Sequence, residues 1–177
     1  NANYVQEIWG AEGDDIIIGS LGADDIRGGT DNDFIDGGGG NNELYGDAGN
    51  DTLVSGNGDD TLYGGNGDDI LNAGGGNDFI YGGNGGETKG DDGSVDTAVF
   101  SGASTNYKIS RATDNYYGYV YYIQDDREGS PDGLDTLYDI DLLRFDDGEV
   151  IDIQTYYNDK AGDGDDGETI IGTDNDD

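Results

Sequence analysis

The sequence of 177 residues has no cysteine and no histidine, and it has seven basic residues against 41 acidic ones. Without cysteine there are no disulfides and no thiolate zinc sites. Without histidine the chain lacks the usual general base and the commonest transition-metal ligand, and a histidine-assisted catalytic triad is excluded. No apolar stretch approaches the length of a membrane-spanning helix. The formal net charge of −34 disfavours nucleic acids and anionic membranes as partners, because both select basic patches.

Glycine is abundant instead, with 35 residues, and the apolar share of 32% alone would suit a disordered chain. The order of the residues argues otherwise, because residues 10–81 divide into eight consecutive units of nine. Units such as GGNGDDILN, which starts at Gly64, place glycines first, an acid sixth and an aliphatic residue eighth. A flexible linker needs neither an acid column nor an aliphatic column, so the repeat predicts a folded solenoid.

Two columns of side chains follow from this repeat. The acid column runs through the sixth position and continues, in the same phase, after a degenerate unit, GGNGGETKG, which starts at Gly82 and puts Lys89 in the aliphatic slot. We expect residues 85–93 to leave the regular repeat as a loop. The acid column is Asp15, Asp24, Asp33, Asn42, Asp51, Asp60, Asp69, Asp78 and Asp96. The aliphatic column is Ile17, Ile26, Ile35, Leu44, Leu53, Leu62, Leu71 and Ile80.

Each unit has a glycine-rich half that suits a turn and a DxUx half that suits a short strand, where U is the aliphatic residue. Two units then make one coil, and coils stack about 4.8 Å apart, so acids 18 residues apart become neighbours. Two carboxylates at about 5 Å repel by roughly 3 kcal/mol at an effective dielectric constant of about 20. A hard divalent cation reverses that repulsion, and calcium suits carboxylate and carbonyl oxygens better than magnesium or zinc does.

We therefore predict Ca²⁺ sites between acids 18 residues apart, about five of them strong and up to about eight in all. Pairs that involve Asn42 lose a charge, and the pair of Asp69 with Glu87 falls in the degenerate unit. The strong pairs are Asp15/Asp33, Asp33/Asp51, Asp51/Asp69, Asp60/Asp78 and Asp78/Asp96. Asp31 replaces a turn glycine, and we expect the turn to survive because aspartate tolerates left-handed φ.

The nonapeptide resembles the RTX (repeats in toxin) motif G-G-x-G-x-D-x-U-x over residues 10–81. The resemblance implies an all-β, right-handed parallel β-roll in a secreted bacterial protein that a type I system exports unfolded and extracellular calcium folds. We expect a non-catalytic, monomeric module with secretion, structural or adhesion roles. The alternative is a carbohydrate-binding or folding-assisting module of a secreted enzyme such as an alginate epimerase, lipase or protease.

After the repeats, three segments read as strands: residues 106–110, 118–124 and 142–153. The predicted organisation is a calcium-binding roll at 5–100, a small β-rich cap at 101–161 and the start of a second, truncated roll at 162–177. The segment SPDGLDTLYDIDLLRFDDGEV, from residue 130, is similar to segments that follow RTX rolls.

One outward face of the roll carries an aromatic column in the ninth position of alternate units. Two interpretations remain open, a structural ladder and a surface on which a polysaccharide stacks. The same two interpretations, packing within the protein and contact with a ligand, apply to the tyrosines of residues 115–123. The residues of the possible ligand face are Arg27, Tyr45, Tyr63 and Tyr81.

Overall fold

A computed structural model describes residues 6–83, 94–115, 118–129 and 131–156. The expected second roll at 162–177 lies outside this part of the chain. The described residues are almost entirely β, and none of their helices is long and apolar enough to cross a bilayer. The strands are β1 Gln6–Glu12, β2 Ile16–Ser20, β3 Asp24–Thr30, β4 Phe34–Gly38, β5 Glu43–Ala48, β6 Thr52–Val54, β7 Thr61–Asn66, β8 Ile70–Asn72, β9 Phe79–Tyr81, β10 Thr97–Phe100, β11 Tyr107–Asp114, β12 Gly118–Asp125, β13 Leu134–Tyr138, β14 Leu142–Phe145 and β15 Val150–Asp152, with a 3-10 helix at Ser104–Asn106.

Each regular nonapeptide forms one strand and one turn, as the repeat predicts. Every eighth-position side chain from Ile26 to Ile80 is fully buried, and Ile17, in the first coil, is 8% exposed. Because strand side chains alternate between faces, the seventh- and ninth-position residues lie on the outer surface. The aliphatic column is thus confirmed as the core of the solenoid.

The turns depend on positive φ at the second and fourth positions of a unit. Gly65 and Gly67 have φ values of 117° and 115°, in a region that side chains with a Cβ rarely occupy. Asp31 takes the fourth position with a φ of 78°, so the expectation that this turn survives its substitution is confirmed.

The coils stack in parallel with a register of 18 residues, which makes the fold a parallel β-roll. Leu44 pairs with Leu62 in one sheet, and Ile35 pairs with Leu53 in the other. The eight-stranded sheet has the order β1-β3-β5-β7-β9-β13-β12-β11, and the seven-stranded sheet has the order β15-β14-β10-β8-β6-β4-β2.

The predicted pairing of Asp78 with Asp96 is wrong. Strand β10 pairs with β8, so Thr97 lies beside Ile70 and the backbone N–H of Asp69 donates to Asp96 Oδ1 at 3.0 Å. Asp96 therefore follows Asp69 in the stack with a spacing of 27 residues instead of 18. The loop expected at 85–93, with Lys89 in it, falls outside the described residues.

The chain after Phe100 extends both sheets of the roll. Strands β11 and β12 form an antiparallel hairpin, after which β13 pairs in parallel with β9 and β14 pairs in parallel with β10. The strand expected at 142–153 is instead the hairpin of β14 and β15, which turns at Gly148 with a φ of 85°. Two of the cap strands thus occupy the next coil of the solenoid.

A buried ionic cluster stabilises the segment that runs from the end of β10 to the start of β13. The Arg127 Nε donates to Asp125 Oδ1 at 2.9 Å, and Arg127 Nη2 lies 3.0 Å from Asp132 Oδ2. The Ser101 hydroxyl, at the end of β10, donates to Asp132 Oδ1 at 2.8 Å. Because both carboxylates are almost fully buried, this arginine compensates charge that would otherwise be costly to bury.

Candidate metal centre

The turns of the roll form two edges, and the acid column divides between them. At the first edge the chain passes from the eight-stranded to the seven-stranded sheet, and at the second edge it returns. The first edge carries Asp15, Asp33, Asp51, Asp69 and Asp96. The second edge carries Asp24, Asn42, Asp60 and Asp78.

One oxygen of each acid after Asp15 accepts a hydrogen bond from the backbone of the coil before it. The N–H of Asp15 donates to Asp33 Oδ1 at 2.8 Å, and the N–H of Asp33 donates to Asp51 Oδ1 at 2.7 Å. The N–H of Asp60 donates in the same way to Asp78 Oδ1 at 2.8 Å. The predicted neighbour relation between acids 18 residues apart is confirmed for these pairs.

The second oxygen of several acids is buried and accepts no hydrogen bond within the described part of the chain. Burying such an oxygen without compensation costs several kcal/mol in the ionised state, so an isolated ladder of this kind is unfavourable. These atoms include the Oδ2 oxygens of Asp15, Asp33, Asp51, Asp60 and Asp78.

A main-chain carbonyl points to the same space as the unused carboxylate oxygen of first-edge acids, as a virtual Cβ on the first-position glycine of their units shows. A Cβ added to Gly10 would lie 2.5 Å from the carbonyl oxygen of Gly28 and 2.6 Å from Asp15 Oδ2. The first-position glycines Gly28 and Gly46 face the same two kinds of oxygen. Two acceptors that converge without a donor form a cavity that suits a cation, and only a residue without a side chain leaves that cavity open.

The pKa values agree with an uncompensated negative site. Burial raises the pKa of Asp51 to about 6, and repulsion from Asp33 contributes to the shift. Burial raises the pKa of Asp78 to about 7, with repulsion from Asp60. These carboxylates resist ionisation unless a positive charge lies beside them.

The donor set fits calcium. No three acidic side chains converge anywhere among the described residues, so an ion at these edges would take part of its ligand shell from carbonyl groups. Calcium accepts carboxylate and carbonyl oxygens together in flexible geometry, whereas zinc requires nitrogen or sulfur ligands. The residues that would hold it are the acids of each edge and the first-position carbonyls of the next coil.

Asn42 differs from the acids of the column because its side chain carries a hydrogen-bond donor. Its Oδ1 accepts the N–H of Asp24 at 3.0 Å, so its Nδ2 points to the carbonyl oxygens of Gly40 and Ser55, each at 3.2 Å. A donor therefore stands here where the other units have an acceptor. Asn42 stays in the predicted ligand set, but an ion there would compete with these hydrogen bonds.

Asp24 is also satisfied without an ion. Its Oδ2 accepts the backbone N–H of Ser20 at 2.7 Å and the Ser20 hydroxyl at 2.9 Å. Asp24 stays in the predicted ligand set, but its site competes with these two hydrogen bonds.

The aromatic column forms a continuous stack on the outer face of the eight-stranded sheet. The rings of Tyr45 and Tyr63 lie 4.7 Å apart, those of Tyr63 and Tyr81 lie 4.9 Å apart, and Tyr138 extends the stack at 4.7 Å. The Arg27 guanidinium lies 3.7 Å from the centroid of the Tyr45 ring. The predicted ladder geometry is confirmed, and Tyr138 is a member that the repeat phase did not reveal.

The tyrosine-rich strand β12 points its side chains to both faces, as expected. Tyr121 is buried in the core, whereas Tyr119 is 42% exposed and lies against Arg111. Tyr116 and Tyr117 lie outside the described residues.

Sequence reasoning missed Asp135, which receives a hydrogen bond of 3.0 Å from the N–H of Asp78. It also missed Asp141, whose Oδ2 accepts the N–H of Asp96 at 2.9 Å. A signal was present, because residues 135–138 read DTLY, the same four residues as 60–63. The shift in phase after the repeats concealed it.

A scan of protein-family models matches the RTX calcium-binding nonapeptide repeat at residues 7–26, 18–53 and 54–86. A search of curated proteins finds no match to this chain.

Proposed function

We propose that in this chain, whose residues 7–86 match the RTX calcium-binding nonapeptide repeat, calcium ions complete the roll and drive its folding. The observation that carries the proposal is the row of buried Oδ2 oxygens of Asp15, Asp33 and Asp51, which have no hydrogen-bond donor among the described residues and which each face a main-chain carbonyl. Calcium supplies the positive charge that those oxygens need, and the protein supplies the cavity, the carboxylates and the carbonyls.

Binding and folding are then one event. When a ligand binds only the folded state, its binding free energy adds directly to the stability of that state. The first edge is the stronger ladder, because its acids continue from Asp15 to Asp96 with an acid in every coil. At the second edge, Asn42 and Asp24 are satisfied by protein groups, and the units of Asp60 and Asp78 begin with Ser55 and Ala73 in place of a glycine, so its sites are weaker.

Calcium titration calorimetry on chelator-treated protein tests this proposal. We expect several ions to bind, together with a large heat from coupled folding, and magnesium at equal concentration to give little of either, because it demands tighter octahedral geometry. Absence of calcium binding would overturn the proposal.

We further propose that the module belongs to a secreted or surface-attached bacterial protein. RTX repeats occur in such proteins, and a module with a calcium-dependent fold stays unfolded where calcium is scarce and folds where calcium is plentiful. A role in secretion, structure or adhesion follows from that behaviour. The module works as a monomer in this proposal, and its chemistry is binding rather than catalysis.

The second candidate function is polysaccharide binding, either in an adhesin or beside the catalytic domain of a secreted enzyme. The stacked rings of Tyr45, Tyr63, Tyr81 and Tyr138, with Arg27 at one end, favour it, because aromatic faces and guanidinium groups suit anionic sugars. A glycan array with and without calcium tests it. Calcium-dependent binding that Tyr63→Ala abolishes would support this function, and an array without hits would remove it.

A further inference from the structure

We propose that residues 168–177 of this chain add a parallel strand to the edge of β2 that faces away from β4, and so cover the first coil of the roll. The docking site is this edge of β2, Ile16–Ser20, and its occupant is a segment of the same molecule. The proposal goes beyond calcium binding and requires only that the roll be folded.

The first coil presents an unpaired strand edge with apolar side chains. In the described part of the chain, β2 is the outermost strand of the seven-stranded sheet, and its one neighbour there is β4. Its outward side chains Ile16 and Ile18 are 78% and 68% exposed. Such an edge is a template for pairing with a further strand, and β-branched side chains favour that pairing.

The core and the acid ladder are also incomplete at this coil. Ile17 remains 8% exposed, whereas Ile35, next in the same column, is fully buried. The N–H of Asp15 donates to Asp33 Oδ1 at 2.8 Å, but in the described structure no coil stands before Asp15 to donate to it in turn. One further strand would supply an aliphatic side chain over Ile17 and an N–H for Asp15.

Residues 168–177 have the sequence of such a strand, because they repeat the pattern of residues 15–24. The two segments read ETIIGTDNDD and DIIIGSLGAD, with an acid first, Ile-Ile-Gly third to fifth, a hydroxyl side chain sixth and an aspartate tenth. In this alignment Ile170 lies over Ile17 in the aliphatic column. Because strand side chains alternate, Ile171 then lies on the outer face beside Ile18.

The chain is long enough to bring this segment to β2. Strands β15 and β2 are the two outermost strands of the seven-stranded sheet, so the position beyond β2 lies seven spacings of about 4.8 Å, or about 34 Å, from β15. The described part of the chain ends at Tyr156, shortly after β15. The stretch from Tyr156 to Thr169 can extend to about 43–47 Å.

The same molecule is a better source of this strand than a second copy. A short tether keeps the segment beside β2 at an effective concentration of about a millimolar. A contact between the tail of one copy and the first coil of the next would instead be head-to-tail and would repeat without closing. The net charge of −34 opposes that assembly.

Cysteine cross-linking tests the docking, because the chain has no cysteine of its own. The test variant carries Ile18→Cys and Ile171→Cys, two positions that the proposal places side by side. The matched control carries Val150→Cys and Ile171→Cys, since Val150 is 52% exposed and lies on β15, at the opposite end of the same sheet. Both variants are oxidised in calcium at low protein concentration, circular dichroism checks the fold, and gel electrophoresis separates internal cross-links from dimers.

We expect the test variant to form the internal cross-link about tenfold faster than the control, as docking raises the local concentration of one pair over the other. Adding Ile170→Asp to the test variant should remove this preference, because it places a charge in the aliphatic column. Adding Thr169→Asp, on the outer face, should preserve it. Equal rates for the two cysteine pairs would overturn the proposal, and so would cross-links that join two chains, because a second copy would then occupy the edge.

Hydrogen exchange on the wild-type protein in calcium gives a second test that needs no variant. We expect the amides of residues 169–173 to be protected, because they would pair with β2. Exchange of these amides as fast as in an unstructured peptide, in a protein whose repeat amides are protected, would overturn the docking while leaving the calcium function of the repeats intact.

Discussion

The side-chain amide of Asn42 donates a hydrogen bond of 3.2 Å to the carbonyl oxygen of Ser55, one coil further along the roll. At the corresponding place in other coils, as between Asp15 and Gly28, a carboxylate oxygen meets the carbonyl instead. The amide thus does with one hydrogen bond what a cation would do at the other coils. At this coil, the second edge is stabilised by a hydrogen bond and does not need an ion.

Asn42→Asp should therefore create a calcium site. The new carboxylate oxygen would face the Ser55 carbonyl as other acids face theirs. We expect one additional bound ion by equilibrium dialysis, and lower stability in chelator because a hydrogen bond has become a repulsion. The control is Asn41→Asp, an exposed neighbour whose Oδ1 accepts the N–H of Asp59. An unchanged ion count for Asn42→Asp would contradict this interpretation of the amide.

Asp51→Ala should weaken calcium-dependent folding more than Asp24→Ala. Asp51 has an unused buried oxygen and acidic neighbours in the coils on both sides, whereas Asp24 Oδ2 already accepts two hydrogen bonds from Ser20. We expect the calcium midpoint of Asp51→Ala to rise about tenfold, equivalent to about 1.4 kcal/mol, with a smaller rise for Asp24→Ala. Calcium titrations followed by circular dichroism measure both, and equal midpoints would count against the ladder.

Gly46→Ala should block a site by filling its cavity. A Cβ at Gly46 would clash with Asp51 Oδ2 and with the Gly64 carbonyl, the two oxygens that would hold the ion. We expect a higher calcium midpoint and one bound ion fewer. Gly39→Ala is the matched control, because its Cβ would meet nothing closer than Leu21 Cδ2 at 3.8 Å. If both variants titrate like the wild-type protein, the cavity beside Asp51 holds no ion.

The sequence predicted the regular part of the roll almost completely, because a strict period of nine fixes which side chain is buried and which acid has which neighbour. The aliphatic column from Ile26 to Ile80 and the ladder from Asp15 to Asp69 were both predictable for that reason. The ring stack from Tyr45 to Tyr81 followed from the same period.

Prediction failed where the period changes. Asp96 keeps the phase of nine, yet it enters the opposite sheet from the one expected and stacks on the coil of Asp69. Asp135 lies in a coil that closes only after the hairpin of β11 and β12. Pairing across such an excursion depends on tertiary packing, which a repeat pattern does not record.

Far-ultraviolet circular dichroism of the isolated chain in chelator and in millimolar calcium tests the central claim most directly. The buried acids make the roll unfavourable without a cation, so the account predicts a largely unfolded spectrum in chelator, a β spectrum in calcium, and little change with magnesium. Identical β spectra in chelator and in calcium would contradict it.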